Sequence, residues 1–261
     1  MPANFVWEGD DAPPDGWKHL PELAWNLMRL VRGYGLRGPR GPVDGQPVLV
    51  IPGFLCSDGT TLVLRKILAR AGFRVHGWKM GWNTGVKPDT LDKLKERIEG
   101  FGHDQPIVIV GWSLGGLFAR EFARYYPEKV KAVVTLSSPF SGDPRQNNVW
   151  QLYEKVAKHK VDEPPIPRIT EKPPVPHLAL WSRRDGLIAP RAARGLDHER
   201  DKAVEVECQH MAYGVSRRAA RQVVRELKQF LKEIDAAAPG PKRVRRQRVS
   251  RASKSSRTAA A

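Results

Sequence analysis

Apolar positions along the chain fall into short unbroken runs separated by stretches of helical period. "PVLVI" (47–51), "PIVIV" (106–110), "KAVVTLS" (131–137) and "VPHLALWS" (175–182) have the length of strands buried on both faces. "FRVHGW" (73–78) reads as a further short strand, and "KAVEVEC" (202–208) sets Val204 and Val206 between charges, as a strand near an edge does. Between these runs lie segments of helical period: 60–72, 89–102 with Leu91, Leu94 and Ile98 on one face, 114–126, and a long basic amphipathic stretch over 216–234. Regular alternation of strand and helix predicts an α/β fold: a doubly wound, mostly parallel sheet of about six core strands. In such sheets ligands bind beyond the carboxyl ends of the strands, so chemistry is sought there.

Two segments break the alternation. Residues 138–174 hold one helix around Val149 to Ala157 and a proline-rich end. An excursion of that length inside a domain predicts a small cap or lid. Residues 1–45 form a lead-in in which Leu20, Leu23, Leu27, Leu30 and Val31 recur at helical spacing. The expectation is a helix packed on the domain, with a membrane-surface helix as the alternative, given Trp17 and Trp25 near the apolar face. The catalytic-size domain then spans 46–237.

Charge adds a third region. The net charge is +16, but residues 241–261 carry eight Lys or Arg and no acid, so the remainder has only +8. With almost nothing apolar to bury, 238–261 is expected to be a disordered basic tail. It is either a solvated tail or a contact for nucleic acid or an anionic membrane. No apolar run approaches the roughly 20 residues of a spanning helix. The acidic start lacks the layout of a signal peptide, which favours the cytoplasm. Cys56 and Cys208 are too few for a disulfide framework or a zinc site, and both are expected to be reduced.

Candidate chemistry centres on "VGWSLGG", where Ser113 lies between Gly111 and Gly115 at a junction of strand and helix. Serine needs a base to take its proton and donors for the developing oxyanion. A nucleophile elbow turns so sharply that side chains at the flanking positions would clash, and it aims the Leu114 N–H at the reaction centre. The second donor is sought after the first strand, in "VLVIPGFLCSD", at the Phe54 N–H. The chain order of this geometry is Ser, Asp or Glu, His. Of the downstream histidines, His177 begins a strand, His159 lies in the excursion and His198 in a charged turn. His210 directly follows the last strand and is the favoured base. Asp185, at the end of "LALWS", is the favoured acid over Asp197, Asp201 and Glu207. Leu55, Trp112 and Phe140 are apolar neighbours of the elbow and candidate contacts for an apolar acyl group. No cofactor or metal is called for.

From about Val48 to Ile234 the chain resembles the α/β-hydrolase fold family, and lipase- and esterase-like members in particular. The resemblance is carried by "VLVIPGFLCSD", "GWNTGVKP", "VGWSLGGLFAREFARYYPEKVKAVVTLSSPFSGDP", "LWSRRDGLIAP" and "QHMAYG". It implies Ser113 as nucleophile, Asp185 as acid, His210 as base, and Phe54 and Leu114 as oxyanion donors. Pro52 stands where many relatives have histidine, and the amino-terminal strands of the full fold are not visible. The implied activity is hydrolysis of a small-molecule ester. An acyltransferase or thioesterase with the same triad is one alternative, and a non-catalytic binding protein using its basic tail is another.

Overall fold

The computed structural model describes residues 9–14 and 41–237. The helix expected in the lead-in and the basic tail lie outside the described residues. Six strands form one sheet: β1 (Pro47–Ile51), β2 (Arg74–Gly77), β3 (Ile107–Trp112), β4 (Val130–Leu136), β5 (His177–Trp181) and β6 (Lys202–Glu205). Their order is β2-β1-β3-β4-β5-β6 and every neighbouring pair is parallel. The helices are α1 (Leu62–Arg70), α2 (Thr90–Glu99), α3 (Leu114–Tyr125), α4 (Trp150–Ala157), α5 (Pro190–Arg194), α6 (Ala212–Val215) and α7 (Arg217–Ala237).

Each buried strand divides its side chains between two cores, because successive residues point to opposite faces. Val48, Val50, Val108, Val110 and Trp112 pack against Leu64 and Leu68 of α1 and Val223 and Leu227 of α7. Leu49, Ile51, Ile107 and Ile109 pack against Leu94 and Ile98 of α2 and Phe118 and Phe122 of α3. The apolar runs are continuous because both faces are covered. β6 ends at Glu205, three residues short of the alternating run, and Val206 turns into the first core.

The connection from β4 to β5 is the long one. It carries α4, in which no residue is fully buried, and returns along 158–176. Three side chains fasten its return arm, two from α3 and one from the arm itself. Arg120 on α3 is 1% exposed and donates to the carbonyls of Thr170 (2.6 Å), Glu171 (2.7 Å) and Glu199 (3.0 Å), and to His177 Nδ1 (2.8 Å). Its guanidinium also lies 4.3 Å from the Phe140 ring. Because arginine only donates, His177 Nδ1 accepts, and its Nε2 proton points to Thr135 Oγ1 at 3.1 Å. Burial draws the Arg120 pKa down to about 10 and holds His177 well below its usual value, so the pair is one cation and one neutral ring at neutral pH. Arg168 donates to the carbonyls of Pro139 and Gly142, and Glu121 Oε1 accepts the Ile169 N–H at 3.2 Å.

Residues 9–14 touch the same end of the sheet. Asp11 pairs with Arg191 of α5 at 3.2 Å, and the Pro14 carbonyl accepts from Asn148 Nδ2 at 2.6 Å. Among the described residues no helix is long and apolar enough to cross a membrane.

Candidate active site

The junction between β3 and α3 is a tight turn at the carboxyl edge of the sheet. Ser113 takes φ 53 and ψ −121, a region that costs a residue with a Cβ about 1–3 kcal/mol. Its N–H is held by the Leu136 carbonyl at 2.8 Å. Space at the turn is closed to side chains. A Cβ on Gly111 would overlap the Gly115 carbonyl and the Gly116 backbone, and one on Gly115 would lie 2.5 Å from the Ile51 carbonyl oxygen. The glycines let α3 start hard against the ends of β1 and β3, which lifts Ser113 above the sheet.

The loop after β1 reaches the same point. A Cβ on Gly53 would lie 3.1 Å from Ser113 Cβ, so the backbone of Gly53 and Phe54 passes directly beside the serine. Among the described residues, neither the Phe54 N–H nor the Leu114 N–H has a hydrogen-bond acceptor. Such amides are available to an incoming oxygen. The Phe54 loop is clamped by Asn83, which is 1% exposed. The Leu55 N–H donates to the Asn83 carbonyl and the Asn83 N–H to the Cys56 carbonyl, both at 2.8 Å. Asn83 Nδ2 donates to the Pro52 carbonyl at 2.9 Å. Leu55 is held at φ 53 between these bonds. One turn further on, Asp58 accepts the Trp78 and Lys79 N–H groups at 2.9 and 2.8 Å, fastening the loop to the end of β2.

Asp185 and His210 meet at the ends of β5 and β6. His210 Nδ1 lies 2.7 Å from Asp185 Oδ2, with both side chains at most 3% exposed. Asp185 Oδ1 accepts the N–H groups of Leu187 (2.8 Å) and Ile188 (2.9 Å), which fixes the carboxylate plane. A carboxylate at Nδ1 sets the tautomer with the proton on Nδ1 and a lone pair on Nε2. Trp112, the residue before Ser113, donates from Nε1 to the His210 carbonyl at 3.1 Å, and its ring stands 5.8 Å from the imidazole. The elbow and the His210 loop are therefore packed together. Ser182 Oγ donates to the Cys208 carbonyl at 2.6 Å and ties the two strand ends to each other. The competing acids lie away from this pair: Asp197 is exposed at 98%, Glu207 at 60%, and Asp201 binds the His177 N–H and Lys172.

An apolar cavity of about 840 Å³, its open mouth included, begins at Ser113. One wall is α3 and the other is the β4–β5 connection, through Val149, Trp150, Tyr153 and Ile166. Phe54 closes one side, with its ring 5.2 Å from Tyr153. The expected acyl contacts Leu55, Trp112 and Phe140 are not in this lining. Trp112 points with Val108 and Val110 to the α1 and α7 side of the sheet, opposite α3. Phe140 is fully buried against His177, with ring centroids 5.0 Å apart. Leu55, at φ 53, is half-buried outside the lining. The walls come instead from α3 and the excursion, with Phe54 and Leu114 in place of their neighbours.

The parallel, helix-flanked sheet agrees with known proteins. A family model for the alpha/beta hydrolase fold matches residues 88–162. The structure of MGS-MChE2, an alpha/beta hydrolase enzyme from a sediment metagenome of the lagoon of Mar Chica, superposes with a TM-score of 0.54 at 19% identity, covering 75% of this chain and 94% of that one. The chain has the α/β-hydrolase fold. Carboxylesterase CesB from Bacillus subtilis gives a TM-score of 0.53 at 14% identity over 82% of this chain and 98% of that one. In sequence, the chain is 32% identical to the pimeloyl-[acyl-carrier protein] methyl ester esterase of Shewanella woodyi across 29% of this chain and 39% of that protein. It thus spans about two fifths of the length of that curated relative, and 22% of others of the same name.

Proposed function

We propose that this α/β-hydrolase is a serine hydrolase of carboxylic esters, with Ser113 as nucleophile, His210 as base and Asp185 as the acid that orients it. The observation that carries the reading is the buried 2.7 Å pair of Asp185 and His210, packed through Trp112 onto a serine held at φ 53. His210 Nε2 takes the Ser113 proton as Oγ attacks the ester carbonyl. The carbonyl oxygen becomes an oxyanion on the Phe54 and Leu114 N–H groups, whose positions are set before substrate arrives. The imidazolium, steadied by Asp185, gives its proton to the leaving alcohol. Water then enters, loses a proton to His210 and attacks the acyl-enzyme. As that intermediate collapses, the imidazolium returns its proton to Ser113 Oγ and the acid leaves. The apolar cavity supports an apolar acyl moiety, and the names of relatives and structural neighbours, esterases among them, support the ester.

Fluorophosphonate labelling tests the nucleophile whatever ester the enzyme acts on. The wild type should label and should hydrolyse p-nitrophenyl octanoate. Ser113→Ala should lose the label and about 10³-fold or more of the rate while melting at a similar temperature. Full activity in Ser113→Ala rules the reading out.

A further inference from the structure

We infer that the cavity at Ser113 takes the acyl chain of the ester, not its alcohol, and selects unbranched chains of about eight to ten carbons, with Leu117 and Glu121 of α3 setting the length. This rests on the ester-hydrolase reading and adds the substrate class to it. The two oxygens of an ester have different partners in that reading. The leaving alcohol oxygen takes its proton from His210, and the carbonyl oxygen sits on the Phe54 and Leu114 N–H groups. Phe54 and Leu114 line the cavity, and His210 is not among its lining residues. The cavity therefore lies on the donor side of the serine. A chain seated there reaches the carbonyl carbon without passing the imidazole, which is the place of the acyl group.

The floor of the cavity is one stripe of α3: Leu114, Leu117, Phe118 and Glu121, at the spacing of a single helix face. Between Ser113 and Glu121 the helix rises over eight residues, about 12 Å. An extended acyl chain advances about 1.25 Å per carbon, so about nine or ten carbons cover that distance. Up to Phe118 the stripe is apolar, and each methylene laid on it leaves water. At Glu121 the stripe ends in groups that are already paired. Glu121 Oε1 accepts the Ile169 N–H at 3.2 Å, and Oε2 forms an ion pair with Arg124, whose Nε stands 3.4 Å away. These contacts also pin the return arm of the connection to α3. Arg168, the residue before Ile169, lines the cavity too, and its guanidinium donates to the Pro139 and Gly142 carbonyls. A chain longer than the stripe has two courses. It parts these pairs and leaves buried charge without a partner, or it bends back toward the open mouth and leaves its end in water.

The test is kcat/KM for p-nitrophenyl esters from acetate to tetradecanoate, beside the acetates of butanol to tetradecanol, which lengthen the alcohol instead. In the wild type the acyl series should rise about two- to fourfold per methylene from butyrate to octanoate and fall about tenfold from decanoate to tetradecanoate. The acetates should show no such optimum. Leu117 is half-buried and stands halfway along the stripe, about 6 Å from Ser113. Leu117→Trp should block the path there and move the acyl optimum to butyrate or hexanoate. Glu121→Ala should open the end and move the optimum toward dodecanoate. If Glu121→Ala fails to fold, the wild-type series and Leu117→Trp decide the matter. Hydrolysis with an acyl series that is flat, highest at acetate or still rising at tetradecanoate overturns this inference alone. So does an optimum that follows the alcohol, or one unchanged in Leu117→Trp. No hydrolysis of any ester, with no fluorophosphonate label, overturns the ester-hydrolase reading and this inference together.

Discussion

Two loops face each other across the cavity and are held in opposite ways. The loop after β1, which carries Phe54, is short and clamped by backbone hydrogen bonds to Asn83 on one side and by the Gly53 contact with Ser113 on the other. The β4–β5 connection is long, and buried charged side chains on α3 and the half-buried Arg168 on the return arm fasten it. Backbone clamps fix an N–H direction to within a fraction of an ångström, which a donor to a developing oxyanion needs. Side-chain ties fix where a cover sits and leave its composition open, which a wall that shapes a substrate needs. The difference predicts that rate and cover can be broken separately.

The largest separate effect should come from the clamp. Asn83→Ala removes the Nδ2 bond to the Pro52 carbonyl and frees the turn around Leu55. A misplaced Phe54 N–H should lower kcat by about 10- to 100-fold with KM nearly unchanged, because the lost contact is made to the transition state. Asn83→Asp should do no better, since a carboxylate cannot donate to that carbonyl. Steady-state kinetics on p-nitrophenyl octanoate read the split. A loss carried in KM would mean that Asn83 shapes the cavity and not the donor.

The cover should fail through stability. Arg120→Met leaves the carbonyls of Thr170, Glu171 and Glu199 without their donor inside the protein. The expected cost is about 3 kcal/mol in urea unfolding. Limited proteolysis should then cut within 158–176 while fluorophosphonate labelling of Ser113 persists. Equal loss of labelling would show that cover and nucleophile are held by one network.

The same contrast decides what can be read from the chain. The sheet is legible because strands covered on both faces are bare apolar runs, and the elbow because its glycines are required by sterics at adjacent positions. Asp185 and His210 are legible as strand-end residues in a fixed order. The side chains that fasten the cover are not. "LFAREFARYY" sets Arg120 and Glu121 where an amphipathic helix presents its polar face, yet both are buried because a segment some 50 residues later folds over them. Asn83 sits in "GWNTG" without a periodic signal, since its partners are backbone groups about 30 residues earlier. Trp112 falls outside the cavity at Ser113 for a related reason: nearness to Ser113 in sequence says nothing about which face of the sheet a side chain takes. α5 and α6, of five and four residues, are too short to display a helical period.

The smallest effect offers the finest probe of the clamped loop. Cys56 belongs to it, accepting the Asn83 N–H at its carbonyl, and its side chain is 5% exposed. Burial pushes the thiol pKa up to about 12. At pH 8 the thiolate fraction is then about one in 10⁴, so iodoacetamide should leave Cys56 unmodified in the folded protein and alkylate it in urea. The sign follows from desolvation, which disfavours the charged form only while the loop stays closed. Asn83→Ala loosens that loop, and alkylation of Cys56 at pH 8, followed by peptide mass spectrometry, should quicken by about tenfold through local opening. Arg120→Met should leave the Cys56 rate near the wild-type value under conditions where both stay folded, because the cover does not hold this loop. If the two variants expose Cys56 equally, the loop and the cover open as one unit and their separate fastening has no consequence for motion.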